Sequence, residues 1–154
     1  MHSAEKRLLS THLELPPAVR PFGPYAPAVR TGNLLFLSGM LPTVGHEAKF
    51  LGRAGKELDD EQCRSAAYAA ALNVLSVVRE HLGSLDKVSR VVRLGVYVAT
   101  KGDQANLVKI ADGASELLRD IFGEDRISTR LVFGVDRLPL GVPVELETIF
   151  EVTE

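Results

Sequence analysis

An arginine stands inside the run Ser128-Thr129-Arg130-Leu131-Val132-Phe133-Gly134-Val135, which otherwise alternates like a half-buried β-strand. Its guanidinium is always charged, and its planar fork matches a carboxylate or phosphate, so an arginine among apolar neighbours implies an anionic partner. In that strand Ser128, Arg130, Val132 and Gly134 share one face, and Thr129, Leu131, Phe133 and Val135 the other. The last strand divides Glu145, Glu147 and Ile149 from Val144, Leu146, Phe150 and Val152, giving an acidic row on one face. On these residues alone two readings stay open. Arg130 closes an internal ion pair with one of the glutamates, or it holds a carboxylate that arrives with a substrate.

Other reactive side chains are sparse. Cys63 falls in the first turn of an alanine-rich helix, where a helix N-terminus can lower a thiol pKa. Cysteine is also among the most often buried residue types, and the packed-core reading is preferred. His2, His12, His46 and His81 are scattered with no second ligand or base beside them, and read as surface or helix-end residues; His81 suits a helix C-terminus. Lys87, Arg90 and Arg93 lack interleaved aromatics, which favours a solvated or interface face over RNA contact. The chain contains no G-x-G-x-x-G, P-loop, H-E-x-x-H, G-x-S-x-G or zinc-spaced Cys/His cluster, so no metal site is assigned.

The chain of 154 residues is 45% hydrophobic and 25% charged, which fits one domain with a sizeable core. A net charge of −2 and a pI near 6.1 give no global attraction to nucleic acid or to an anionic membrane. No apolar run approaches the roughly 20 residues that span a bilayer. The charged N-terminus MHSAEKRLLSTHLELPP does not read as a signal peptide, so a cytoplasmic protein is expected. The single cysteine agrees with a reducing compartment.

Positioning elements follow from periodicity. Residues 1–24 carry Pro16, Pro17, Pro21 and Pro24 and read as an extended lead-in with room for a short helix before Pro16; structure proper is expected from Tyr25, as one domain over 25–154. Ala26 to Arg30 and Leu34 to Ser38 flank a Thr31-Gly32-Asn33 turn and form a hairpin. Gly39 to Leu58 is a long loop of the kind that often serves function. A helix runs from the capping pair Asp59/Gln62 to Gly83, and a second from Asp103 to Gly123. Between them, Val88 to Ala99 alternates with both faces largely apolar, as a central strand does. Strands at about 127–135 and 143–152 close the order ββαβαββ, a two-layer α+β domain with both helices on one side of the sheet. The other sheet face needs a cover, and a second copy of the chain is the obvious one.

The segments GPYAPAV (23–29), GNLLFLSGMLP (32–42), STRLVFGVDRLP (128–139) and VPVELE (142–147) resemble the Rid/YjgF family, also called endoribonuclease L-PSP-like. The helix IADGASELLRDIFG (110–123) resembles that of a longer subgroup, and the match runs through residues 22–152. The resemblance implies a chorismate-mutase-like subunit in a homotrimer, with clefts at the subunit interfaces. It also implies hydrolysis of reactive enamine/imine intermediates, small 2-imino acids, to 2-keto acids and ammonia, without metal or organic cofactor. By that resemblance Arg130 is the carboxylate-binding arginine, Glu145 the glutamate that polarises water, Tyr25 the aromatic wall, and Ser38 and Gly39 the small residues lining the cleft. Asp112 and Val132 stand where many deaminases of the family carry asparagine and cysteine, and Met40 and Pro27 where they carry glutamine. A trimeric sensor of 2-keto acids is the alternative reading; an endoribonuclease is the third, disfavoured by the acidic pI.

Overall fold

The structure is a computed structural model that describes residues 3–154. His2 lies outside them. Helix α1 is Ala4–Ser10, followed by strands β1 (Ala28–Thr31) and β2 (Leu34–Leu37) and a miniature hairpin of β3 (Thr43–Val44) and β4 (Glu47–Ala48). Then come helix α2 (Asp60–Leu82), β5 (Val88–Ala99), helix α3 (Leu107–Phe122), β6 (Thr129–Val135) and β7 (Val144–Val152). The main sheet has the order β1-β2-β7-β5-β6, with β5 and β6 parallel and every other pair antiparallel.

Local chemistry explains the long helices. Asp59 and Gln62 form a reciprocal capping box at the start of α2, and Gly83 ends it in the left-handed region at φ 85°. Ala66, Ala67, Ala70 and Ala71 are fully buried, so the α2 backbone lies close over the sheet. Gly113 lets α3 close on α2, because a Cβ there would meet the backbone carbonyl of Arg64. The start of α3 differs from expectation: Asn106, whose side chain accepts from the Lys109 amide, caps it, and Asp103 lies outside.

The core sits between the helices and one sheet face, where Leu35, Leu94, Leu146 and Phe150 are essentially inaccessible. Burying each such side chain stabilises by ~1.5–3 kcal/mol. Strict alternation along β5 does not hold. Register irregularities between Val88 and Arg90 and between Val91 and Arg93 turn Val91 into the core and leave Arg90 in solvent. On the opposite face Val29, Phe36, Leu131 and Phe133 lie open, with the Tyr97 and Phe133 rings 6.1 Å apart. Arg93 on this face bonds Glu147 at 3.2 Å, and Arg90 donates to the Ile127 carbonyl, so each of these basic side chains has an internal partner.

Ordered packing begins earlier than Tyr25. Ala4 and Leu8 of α1 are buried in the core, Asp86 accepts from Ser3 and from the Glu5 amide, and Glu5 in turn binds Arg79 and the Leu85 amide. Periodicity over so short a helix carries little signal, which is why proline content dominates the sequence reading of this segment.

The loop after β2 is pinned rather than free. Asn73, buried in α2, donates Nδ2 to the carbonyls of Leu41 (3.0 Å) and Thr43 (2.9 Å). Farther along, Ala54 bonds Ala99, and Gly52 bonds the carbonyl of Gly141. Asn73→Ala strips two buried carbonyls of their donor and is expected to cost about 2–4 kcal/mol in urea unfolding. A loss below about 1 kcal/mol would mean that water replaces the amide.

Candidate active site

The residues singled out by sequence fall into two groups on opposite faces of the sheet. Arg130 pairs with Leu94 across β5 and β6, and Leu94 points into the helix-covered core. Glu145 pairs with Tyr97 across β7 and β5, and points the other way. Within one chain the two side chains therefore leave the sheet on opposite faces. The ion pair between Arg130 and the acidic row does not form, because the parallel β5–β6 register turns the arginine toward the helices.

Arg130 instead meets α3. Its Nη1 donates to Asp112 Oδ1 at 2.7 Å and to Ser115 Oγ at 3.0 Å. Both bonds use one nitrogen, so the Nη2–Nε edge keeps its donors for a further acceptor. A cavity of about 370 Å³ opens here, lined by Asp112, Ser115, Glu116, Arg119 and Arg130 among others. Val132, two residues on, is half-buried against the core. Ser115, one helical turn after Asp112, was not singled out from sequence; an Asp-x-x-Ser spacing that puts both on one helix face is the signal that marks it.

The second group gathers around Glu145. The β2–β7 register pairs Phe36 with Ile149 but Met40 with Leu146, so four residues on one strand run against three on the other. This slip re-aims the backbone at Ser38 and Gly39. Gly39 leaves room for the Glu145 carboxylate: a Cβ there would meet it, and the glutamate side chain would have to turn aside. Ser38 Oγ donates to the Ala26 carbonyl at 2.7 Å, and the Tyr25 hydroxyl accepts from the Phe22 amide at 3.0 Å. The Phe22 ring stacks at 4.1 Å on His46, whose Nε2 donates to the Arg20 carbonyl, so this histidine braces the cavity wall.

Burial alone pushes the Glu145 carboxyl above the usual glutamate range. Its side chain has no hydrogen bond or ion pair among the described residues. It borders a cavity of about 550 Å³ whose walls include Phe22, Tyr25, Ser38, Gly39 and Leu140. A half-buried carboxylate without an internal partner, facing a cavity, is equipped to accept a proton from a bound molecule.

Cys63 is excluded from this chemistry. It is fully buried, and desolvation, with Asp60 and Asp59 nearby, raises its thiol pKa to about 11. Among the described residues no group of three or more His, Cys, Asp or Glu side chains is placed to hold a metal ion, and no helix is long and apolar enough to cross a membrane.

A two-layer α+β chain with an open sheet face defines a class of small proteins, and known proteins agree with it. Residues 5–150 match the family described as "YjgF/chorismate_mutase-like, putative endoribonuclease". Protein TCP17 of Trypanosoma cruzi is 36% identical over 140 residues, covering 90% of this chain and 88% of its own. A 2-iminobutanoate/2-iminopropanoate deaminase of Dermatophagoides farinae is 28% identical, with 94% of each chain covered. The crystal structure of Atu1372 from Agrobacterium tumefaciens, a protein of unknown function, superposes with a TM-score of 0.88 at 32% identity, covering 97% of this chain and 92% of that one. The chain belongs to the YjgF/chorismate-mutase-like family.

Proposed function

We propose that this protein hydrolyses small reactive enamine/imine intermediates, the 2-imino acids, to 2-keto acids and ammonia. The observation that carries this reading is Glu145, a half-buried carboxylate on a cavity wall with no hydrogen-bond or ion-pair partner among the described residues. Two or more copies of the chain are needed, since Arg130 and Glu145 point to opposite sheet faces. The open apolar face of Val29, Phe36, Leu131 and Phe133 gives such copies a surface to bury, and a homotrimer with three inter-subunit clefts is the proposed assembly.

Chemically little else is demanded. The free edge of the Arg130 fork takes the substrate carboxylate, which places the protonated imine carbon in the cleft. Glu145 accepts a proton from one water as its oxygen bonds to that carbon. Glu145 then returns that proton to the amino group of the carbinolamine, and as the C–N bond breaks and ammonia leaves, the hydroxyl gives its proton back to Glu145 and becomes the carbonyl of the keto acid. Ammonia and keto-acid release from 2-iminopropionate, made in situ by an amino-acid oxidase, tests the proposal. Acceleration by the wild type, with the Arg130→Ala rate falling to background, is expected; no acceleration with any imino acid would overturn it.

Asp112 sets the strength of this grip. Its carboxylate already neutralises part of the guanidinium charge through Nη1, and a nearby negative charge opposes an anionic ligand on the other edge. Asp112→Asn keeps an acceptor for Nη1 while removing the charge. Calorimetric affinity for pyruvate is expected to rise roughly 3- to 30-fold in this variant. Unchanged affinity would place Asp112 away from the bound anion. A second reading is a non-catalytic trimer that senses 2-keto acids; it predicts pyruvate binding through Arg130 with no imine turnover.

A further inference from the structure

The cavity beside Glu145 is larger and more apolar than a methyl or ethyl substituent needs. Phe22, Pro24, Leu41, Pro139 and Leu140 form its apolar walls, and Glu145 is the one carboxylate among its lining residues. Its volume of about 550 Å³ is ample for a branched or aromatic side chain, and it is open to solvent on one side.

Leu140 marks the rim. Its backbone sits in the left-handed region at φ 59° and ψ 8°, where a side chain with a Cβ is rarely found. The surroundings hold it there: Val142 bonds the Pro139 carbonyl, Gly141 bonds that of Leu138, and Gly52 from the long loop bonds that of Gly141. Despite this constraint the leucine is 49% exposed, and Phe22, braced by His46, is 41% exposed. An unfavourable backbone conformation that presents an apolar side chain to a cavity, not to the core, is the pattern of a ligand contact.

We propose that this cavity is a side-chain pocket, which selects 2-imino acids, and the 2-keto acids they yield, bearing a branched or aromatic apolar side chain. The inference rests on the reading of Arg130 and Glu145 as one site. With the carboxylate in the Arg130 fork and the reacting carbon beside Glu145, the substituent on that carbon points to Leu140, Leu41 and Phe22.

Equilibrium binding of 2-keto acids to the full chain tests the pocket independently of turnover. Calorimetry would compare pyruvate with 4-methyl-2-oxopentanoate and phenylpyruvate, on the wild type, Leu140→Gly, Phe22→Ala and Arg130→Ala. At least one bulky acid is expected to bind about tenfold or more tightly than pyruvate, as the added apolar groups leave water. Leu140→Gly relieves the backbone conformation while deleting the side chain, and the bulky-to-pyruvate affinity ratio is expected to fall by roughly threefold or more. Phe22→Ala is expected to lower the same ratio. Equal affinities for all three acids, each lost in Arg130→Ala, would overturn the pocket while leaving the site intact, and would mean that a second copy of the chain fills the cavity. Absence of binding, or binding that survives Arg130→Ala, would overturn the site reading and the pocket with it.

Discussion

Glu145→Gln is expected to lower the turnover of 2-iminopropionate by ~10²–10⁴-fold, while the affinity for pyruvate stays within about threefold of wild type. Glutamine keeps the shape that Gly39 accommodates and removes only the capacity to take a proton. The wild-type rate is expected to rise with pH through an ionisation above the usual glutamate range, because burial holds the carboxyl protonated longer. Stability moves the other way. A carboxyl whose pKa is raised on folding favours the folded state below its unfolded pKa, and loses that contribution as pH rises through the folded value. At neutral pH the ionised Glu145 is therefore a net cost, and Glu145→Gln is expected to melt slightly higher in differential scanning calorimetry, the gap closing on acidification. Turnover retained in Glu145→Gln would remove this residue from the chemistry.

Mixing two inactive variants is expected to restore activity. Arg130→Ala subunits lack the carboxylate grip and Glu145→Gln subunits lack the base, so each homo-oligomer is silent. If a cleft takes Arg130 from one subunit and Glu145 from the next, co-refolding in equal amounts gives intact clefts at roughly a quarter of all positions by random assortment. Activity near that fraction of wild type is the expected result of a steady-state assay on the mixture. A mixture no more active than its components would show that both residues act within one subunit. That outcome requires the sheet faces of Arg130 and Glu145 to be other than the β5 pairings make them.

Asp112 shows why site chemistry is harder to read than site membership. Its position on α3 follows from helical spacing, and its identity from the sequence. That it closes on Arg130, 18 residues away, depends on the crossover that lays α3 against the edge strand β6. The two residues lie in separate elements, and no local pattern couples their side chains.

Periodicity, caps and turn residues by themselves determined the two long helices, the order of the five main-sheet strands along the chain and the apolar sheet face that lacks a cover, but not the miniature β3–β4 hairpin inside the expected loop. The Asp59/Gln62 box, the left-handed Gly83 and the alternation of β7 all act between near neighbours, and near neighbours are what a sequence displays directly. Only the tertiary structure decided which face each site residue serves. The bulges that turn Val91 inward, the slip that aims Ser38 and Gly39 at Glu145, and the parallel register that separates Arg130 from Glu145 are pairings between distant segments. A one-residue change in such a register reverses every side chain, so faces are fixed by the packing of the whole sheet and not by any strand alone. The backbone of Leu140, held left-handed by loop contacts from Gly52, belongs to the same category.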